Sequence, residues 1–143
     1  MVLRFKILGI PLAKQSARFY SKNGKIKSYQ KKEVVDRGNN MSYDIISQLP
    51  KGFIPFDVPL AAKMLYVFPI PKTFSKKKIE KIKSGEIVYK ETKPDLHDNL
   101  NKQTFDCMEG IVYTNDSRVC RIDRSEKIYG NIPRTEIEIY PIN

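Results

Sequence analysis

The hydrophobic and polar positions of the chain predict several β-strands. From Leu3 to Ile7 apolar and charged residues alternate, as expected for a strand with one covered face. Residues 135–140 alternate in the same way, and a further strand is predicted over about 118–123. Residues 61–68 are apolar at almost every position, which predicts a strand covered on both faces in the middle of the sheet.

Other segments predict a hairpin and three helices. Arg18–Gln30 is typical of a hairpin, because Asn23-Gly24 can adopt the positive φ angles of a tight turn. Apolar residues recur at helical spacing from about 31 to 49. A lysine-rich helix is predicted from the cap Ser75 to about residue 84, and another helix over about 98–109.

These elements favour an α+β fold in which a small mixed β-sheet packs with two main helices. The 143 residues form one domain, because a chain of this length can bury a core without disulfides or structural metals. Within that domain, 1–143, the segment of about 72–86 is predicted to be a basic surface arm. Residues 93–119 are predicted to hold an acidic site.

Charge narrows the class of partner. The chain carries a formal net charge of +10, which favours a polyanion, with nucleic acid ahead of a membrane surface. A basic surface without a partner is the alternative. Arg4 and Lys6 interrupt the apolar run that a signal peptide needs, and no apolar run reaches membrane-spanning length. Because Cys107 and Cys120 lack metal or disulfide spacing, we expect a reducing cytoplasm.

The acidic segment gathers carboxylates within this basic chain. Asp95 follows Pro94 in a defined turn, Asp98 lies at the start of the helix, and Asp116 follows the helix where the returning chain could approach the same end. Converging carboxylates repel unless a cation neutralises them, and their hard oxygens suit Mg²⁺ or Mn²⁺. Lys102, one turn after Asp98, could hold that carboxylate or neutralise charge on a phosphate.

Each of these residues also has a structural interpretation. Asp98 is a common helix cap, Asp98 with Lys102 is an ordinary surface pair, and Asp116 is a common turn residue. His97 is expected to be a solvated loop residue. Glu109 lies roughly 16 Å along the helix from Asp98 at 1.5 Å per residue, which is too far to share one metal site with it.

The acidic segment resembles the RusA family of Holliday-junction resolvases, small homodimeric endodeoxyribonucleases of bacteria and phages. The resemblance rests on Lys93-Pro94-Asp95, Asp98-Asn99-Leu100, Lys102, Phe105-Asp106, Gly110, Val112-Tyr113 and Asp116-Ser117. It extends to Gly9, Pro11, Lys14 and Arg18, which resemble the family's basic amino-terminal motif, and to FPIPKTFSKKK at 68–78, which resembles phage-type members.

This resemblance implies a mixed α+β homodimer that cleaves branched DNA such as a four-way junction. It also implies Mg²⁺ as cofactor, for which Mn²⁺ can substitute, with Asp95, Asp98 and Asp116 as metal ligands and Lys102 as the essential basic partner. Phosphate contacts are expected from the basic residues of the hairpin, the amino-terminal motif and the arm, namely Lys14, Arg18, Lys22, Lys25, Lys27, Lys76, Lys77 and Lys78.

The chain departs from the family pattern at three places. Leu96 and His97 both separate Asp95 from Asp98, where the family usually has one residue, so either the loop bulges or His97 becomes a ligand. We favour the bulge. Asn115 stands where the family often has Asp, and Arg118 where it often has Gln.

Three hypotheses follow. The first is a magnesium-dependent endonuclease that resolves Holliday junctions in DNA recombination and repair. The second is a non-catalytic basic nucleic-acid-binding protein of replication or recombination, in which the carboxylates only cap helices and aid solubility. The third is a degenerate relative that binds junctions but has lost turnover through the inserted residue, in which case deletion of His97 would restore cutting.

Overall fold

The structure is a computed structural model that describes residues 1–14, 18–29 and 32–143, with side chains described except at 18–20, 26–29 and 34. Its strands are β1 (Leu3–Leu8), β2 (Arg18–Lys22), β3 (Lys25–Tyr29), β4 (Leu60–Pro69), β5 (Val119–Gly130) and β6 (Arg134–Pro141). Its α-helices are α1 (Lys32–Gln48), α2 (Lys76–Lys83) and α3 (Lys102–Met108), with a π-helical turn at Leu96–Asn101 and a 3-10 turn at Asp116–Arg118.

A four-stranded mixed sheet forms the centre of the protein, in the order β1-β6-β4-β5. Strand β6 pairs antiparallel with both β1 and β4, whereas β5 runs parallel to β4. Strand β4 therefore lies between two neighbours, and its side chains are mostly buried, with Lys63 exposed. The predicted α+β class with a mixed sheet and the central position of this strand are confirmed.

The hairpin of β2 and β3 forms a separate two-stranded sheet. Lys22 pairs with Lys25 across the turn, and Asn23 and Gly24 have φ angles of 52° and 74°. These are the left-handed conformations that the sequence predicted for a two-residue hairpin loop. Gln30, the predicted end of the hairpin, lies outside the described residues.

Helix α1 packs beside β1 with a small apolar face, where Met41 and Ile45 are buried in the core. Its last residue, Gln48, bonds the backbone N–H and carbonyl of Lys6, and Ser42 donates to the carbonyl of Cys107. Helix α1 is thereby attached both to β1 and to α3.

Helix α2 is the predicted lysine-rich arm. Ser75 caps it by accepting from the N–H of Lys78, and Gly85, with φ of 103°, follows its end. Ile82 is buried and Ile79 is half-buried, whereas the lysines are exposed. The predicted surface helix is confirmed, and the single buried isoleucine attaches it to the core.

The helix predicted from about Asp98 begins instead at Leu96, and its first turn is π-helical. The N–H of Leu100 donates to the carbonyl of Asp95 at 3.1 Å, five residues back. A π turn holds one more residue than an α turn, so the extra residue between Asp95 and Asp98 is accommodated inside the helix. The bulge that the sequence predicted thus takes the form of a wide helical turn.

A buried hydrogen-bond network attaches this helix to the sheet. The hydroxyl of Tyr66 on β4 lies 2.8 Å from Oδ1 of Asn101 and 3.0 Å from Oγ1 of Thr104. Ser125 on β5 also donates to Asn101 Oδ1, at 2.9 Å. Burial raises the pKa of the Tyr66 phenol, so this hydroxyl stays protonated at neutral pH. The two strands and the helix therefore share one polar contact inside the core.

Strand β5 is longer than the sequence predicted, because the predicted end at Asp123 is only its middle. The charged residues that follow lack apolar alternation, and they are held in the strand by parallel pairing with β4 up to Gly130. Two irregularities in register interrupt this pairing near its beginning.

In the described part of the chain no helix combines the length and apolarity that a membrane crossing requires.

We expect Tyr66→Phe to lower the free energy of unfolding by about 1–2 kcal/mol, because it leaves the buried Asn101 and Thr104 oxygens with one partner fewer. Urea denaturation monitored by circular dichroism measures the change. Tyr43→Phe is the matched control, since Tyr43 is 70% exposed and should tolerate the change. Equal stability of the two variants would show that the network contributes nothing.

Candidate active site

Asp98 and Lys102 lie in a cleft of about 330 Å³ on the exposed side of the helix, lined by His97, Asp98, Asn101, Lys102, Phe105 and Ile122. The side chain of Asp98 is 81% exposed, and that of Lys102 is 53% exposed. Both groups can therefore be reached by a large substrate from solvent.

Lys102 pairs with Asp106 rather than with Asp98. Its Nζ lies 3.4 Å from Oδ1 of Asp106, four residues later within α3. Asp98 belongs to the π turn, whose wider spacing moves it out of line with a residue four positions on. Its carboxylate has His97 Nε2 at 3.9 Å instead. Of the two predicted roles of Lys102, the structure thus provides no contact for holding Asp98.

Asp116 meets two other acids. Carboxylate oxygens of Asp106, Glu109 and Asp116 all lie within 4.8 Å of one another. Glu109 lies immediately after α3, and its Oε1 accepts from the backbone N–H of Asp116 at 3.3 Å. Asn115 caps the 3-10 turn through the N–H of Ser117 and so helps to orient Asp116.

Sequence reasoning missed Asp106 and Glu109 as members of this group. The helical rise separates Glu109 from Asp98, but the returning chain brings Asp116 beside Glu109. The sequence signal for this contact is the short connection from Gly110 to Asp116, since a glycine after a helix favours a reversal of the chain. Such a connection forces the chain back along the carboxyl end of the helix.

The structure places two of the predicted metal ligands, Asp98 and Asp116, in two neighbouring clefts, and Asp95 lines neither of them. Asp116 lines a second cleft of about 390 Å³ together with Phe105, Val119, Cys120, Arg121 and Ile122. Phe105 and Ile122 border both clefts and so lie between Asp98 and Asp116. Asp95 is exposed at the beginning of the π turn, where its N–H donates to Oδ1 of Asn99 at 3.3 Å.

Among the predicted DNA contacts whose side chains are described, Lys14 reaches this site. Its Nζ lies 2.6 Å from Oδ2 of Asp106. Its backbone is fixed as well, because Lys14 N–H donates to the carbonyl of Asn99 at 2.9 Å and the Asn99 amide donates to the carbonyl of Lys14 at 2.5 Å. The amino-terminal segment is thereby attached to the turn that bears Asp98.

The other predicted DNA contacts lie on the hairpin and on α2. Lys22 and Lys25 are exposed beside the hairpin turn. Arg18 and Lys27 belong to β2 and β3, but their side chains lie outside the described residues. The three arm lysines predicted to contact DNA are exposed in the first turn of α2, namely Lys76, Lys77 and Lys78. The ammonium of Lys78 lies over the ring of Phe74, 4.0 Å from its centre.

Tyr113 lies beneath the acidic group. It is fully buried, and its hydroxyl donates to the carbonyl of Phe105 at 2.6 Å. Burial raises the pKa of this phenol, and the negative charges of nearby acids, first Asp116 and then Glu109, raise it further. Tyr113 therefore serves as a neutral hydrogen-bond donor that connects α3 to the segment preceding Asp116.

The donor chemistry of the site fits a divalent cation. Carboxylate oxygens are the ligands that Mg²⁺ and Mn²⁺ prefer, and three of them converge around Asp116. Asp116 and Asp106 are half-buried and Glu109 is exposed, so solvent and substrate can complete a coordination shell. The convergence also creates repulsion, which the ammonium groups beside Asp106 partly offset.

Comparison with known proteins identifies the family of the chain. The family model described as endodeoxyribonuclease RusA matches residues 9–140, which is nearly the whole chain. The chain therefore belongs to the RusA endodeoxyribonuclease family, and this membership implies a nuclease. Among curated proteins, the uncharacterized protein YqaN of Bacillus subtilis (strain 168) is 28% identical over 141 residues, covering 99% of this chain and 97% of YqaN.

We expect stability to fall as the pH rises above about 10, where tyrosines of the unfolded chain begin to lose their protons. Tyr113 and Tyr66 keep theirs in the folded state, because their folded pKa values are raised. The folded state then binds more protons than the unfolded state, so the free energy of unfolding decreases with pH. Urea denaturation between pH 8 and 11 should show a shallower decline for Tyr113→Phe than for the parent protein.

Proposed function

We propose that this protein is a magnesium-dependent, structure-selective endonuclease that resolves Holliday junctions by paired incisions during DNA recombination and repair. The observation that carries the proposal is the family match across the segment whose carboxylates line the two neighbouring clefts. The net charge of +10 supports it, because a basic protein attracts the phosphates that its acidic site would cleave.

We take Asp95, Asp98 and Asp116 as the ligands of the cation, because they match the acidic motif of the family to which the chain belongs. Phe105 and Ile122 lie between Asp98 and Asp116, so a cation held by both would require the two clefts to join. When bound, a divalent cation polarises the scissile phosphate and lowers the pKa of an attacking water. Glu109 is the additional candidate ligand, since its carboxylate lies beside that of Asp116.

Lys102 neutralises charge that develops on the phosphate. Its side chain is 53% exposed in the cleft of Asp98, so a DNA phosphate can reach the ammonium. A fixed positive charge at this point stabilises the more negative transition state more than the ground state. Of the two predicted roles of Lys102, this is the one that its exposure in the cleft supports.

The basic residues outside the site bind the DNA backbone without reading sequence. They lie on the hairpin, the amino-terminal segment and the arm, and comprise Lys14, Arg18, Lys22, Lys25, Lys27, Lys76, Lys77 and Lys78. The proposed active form is a homodimer in the cytoplasm. A twofold axis would present two equivalent acidic sites to the two related strands of a four-way junction.

A synthetic four-way junction tests the proposal. The parent protein should cleave it with Mg²⁺ or Mn²⁺, should leave linear duplex uncut, and should stop when EDTA is added. We expect Asp116→Asn to bind the junction normally and to cleave it at least about 100-fold more slowly, because the charge that holds the cation is lost. Asp36→Asn, a change at an exposed position of α1, is the control.

Binding without cleavage by the parent protein, unaffected by EDTA, would identify a non-catalytic DNA-binding protein instead. The same assay separates the two candidate ligand sets. Asp98→Asn should impair cleavage more than Glu109→Gln if Asp98 is a ligand. The reverse order would assign the cation to the group that includes Glu109 and Asp116.

We expect replacement of three of the arm lysines, Lys76, Lys77 and Lys78, by Gln to weaken junction binding and to reduce its dependence on salt. Each phosphate contact contributes about 0.9 to the slope of log K against log salt, so the slope should fall by about 2–3. Fluorescence anisotropy at several salt concentrations measures it. The control replaces three exposed lysines outside the arm, Lys6, Lys32 and Lys51; an equal effect there would show that the arm has no special role.

A further inference from the structure

The carboxylate of Asp106 lies between two ammonium groups that come from different parts of the chain. Oδ2 lies 2.6 Å from Nζ of Lys14, and Oδ1 lies 3.4 Å from Nζ of Lys102. Two lysines brought this close would repel each other without a negative charge between them. Asp106 therefore makes it possible for both to occupy one site.

Both lysines are fixed relative to the helix that bears Asp98. Lys102 is the first residue of α3. The backbone of Lys14 forms two hydrogen bonds with Asn99 in the π turn, one to its carbonyl and one from its side-chain amide. Asp106 adds a third connection at the tip of the Lys14 side chain. A long flexible side chain thus becomes fixed at both its ends.

Exposure differs among the three side chains in a way that suits a phosphate. Asp106 is 25% exposed, whereas Lys14 is 38% and Lys102 is 53% exposed. The anion is thus the least exposed group, and both cations remain open to solvent. An incoming phosphate can contact the ammonium groups without displacing the carboxylate that holds them.

We propose, as an extension of the proposed nuclease function, that Asp106 is a positioning residue that holds Lys14 and Lys102 as a paired phosphate clamp. The carboxylate does not contact the reacting atoms. It sets the spacing of two ammonium groups, and those groups contact the substrate phosphate. Lys14 is thereby assigned to the clamp of the cleavage site, beyond its general contribution to DNA binding.

The variant Asp106→Asn keeps the shape of the side chain and removes its charge. Junction affinity should change by less than about twofold, because both lysines remain and a repulsive carboxylate is lost. The turnover rate should fall about 10- to 100-fold, because the ammonium groups are no longer held in place. Asp106→Glu should recover part of the rate, since it restores the charge one methylene further out.

Glu138→Gln is the matched control. Glu138 is 31% exposed and pairs with Arg4 and Lys63, so it offers the same loss of charge between two cations at similar burial within β6. It should leave turnover unchanged. A loss of binding and turnover together in Asp106→Asn, with no recovery by Asp106→Glu, would indicate a purely structural role and overturn the proposal.

A mutant cycle that includes both lysines distinguishes positioning from metal binding. If Asp106 acts only by holding Lys14 and Lys102, then adding Asp106→Asn to the double variant Lys14→Gln/Lys102→Gln should slow turnover by no more than about twofold. The Mg²⁺ concentration for half-maximal activity should stay the same. Multiplicative losses, or a higher Mg²⁺ requirement in Asp106→Asn, would overturn the proposal and make Asp106 a ligand.

Amine labelling tests the clamp without any nuclease activity. An amine-reactive ester, followed by peptide mass spectrometry, should modify Lys14 and Lys102 at least about twofold faster in Asp106→Asn than in the parent protein, because ion-paired ammonium groups are less available. Lys76 on the arm is the internal reference. Unchanged labelling would overturn the clamp even if the parent protein cleaves junctions, and faster labelling would support it even if the parent does not.

Discussion

The hydrogen-bond network around the hydroxyl of Tyr66 is the interaction on which the candidate site depends. It connects β4, at the centre of the sheet, to Asn101 and Thr104 at the junction of the π turn and α3. These groups are buried, so each unpaired oxygen would cost more than the same group in water. The helix can therefore pack on the sheet in few other orientations. Because its orientation is fixed, the positions of the side chains on its exposed face are fixed as well.

The helix presents two different surfaces because its spacing changes at Lys102. The π turn places Asp98 apart from the α-helical row that contains Lys102 and Asp106. The next acidic residues, Glu109 and Asp116, meet at the other end, where the chain reverses after α3. A single helix thus supports two acidic clefts, with Phe105 and Ile122 between them.

Electrostatic balance explains how a strongly basic protein can maintain acids so close together. Lys14 and Lys102 offset part of the repulsion around Asp106, and they do so at partly exposed positions where a phosphate can also reach them. The described lysines of the arm and hairpin, Lys22, Lys25 and Lys76 to Lys78, are exposed. Under the proposed function they contact the DNA backbone, whereas Lys14 and Lys102 act at the cleavage site.

The sequence by itself determined the local elements and the family. Alternation predicted β1 and β6, Asn23-Gly24 predicted the hairpin, and the Asp and Lys motifs predicted a RusA relative, because each of these signals depends on neighbours in the chain. Tertiary structure alone decided the length of β5, whose charged half is held in place by parallel pairing with β4.

The tertiary structure also decided which acidic side chains lie close together. Lys14 reaches Asp106 across 92 positions, and Asp116 meets Glu109 only because the chain folds back after α3. Residue types and short spacings do not predict contacts between residues that are far apart in the chain. These contacts depend on how the amino-terminal segment and the helix pack together. The family was therefore predictable from the sequence, whereas the grouping of the side chains required the fold.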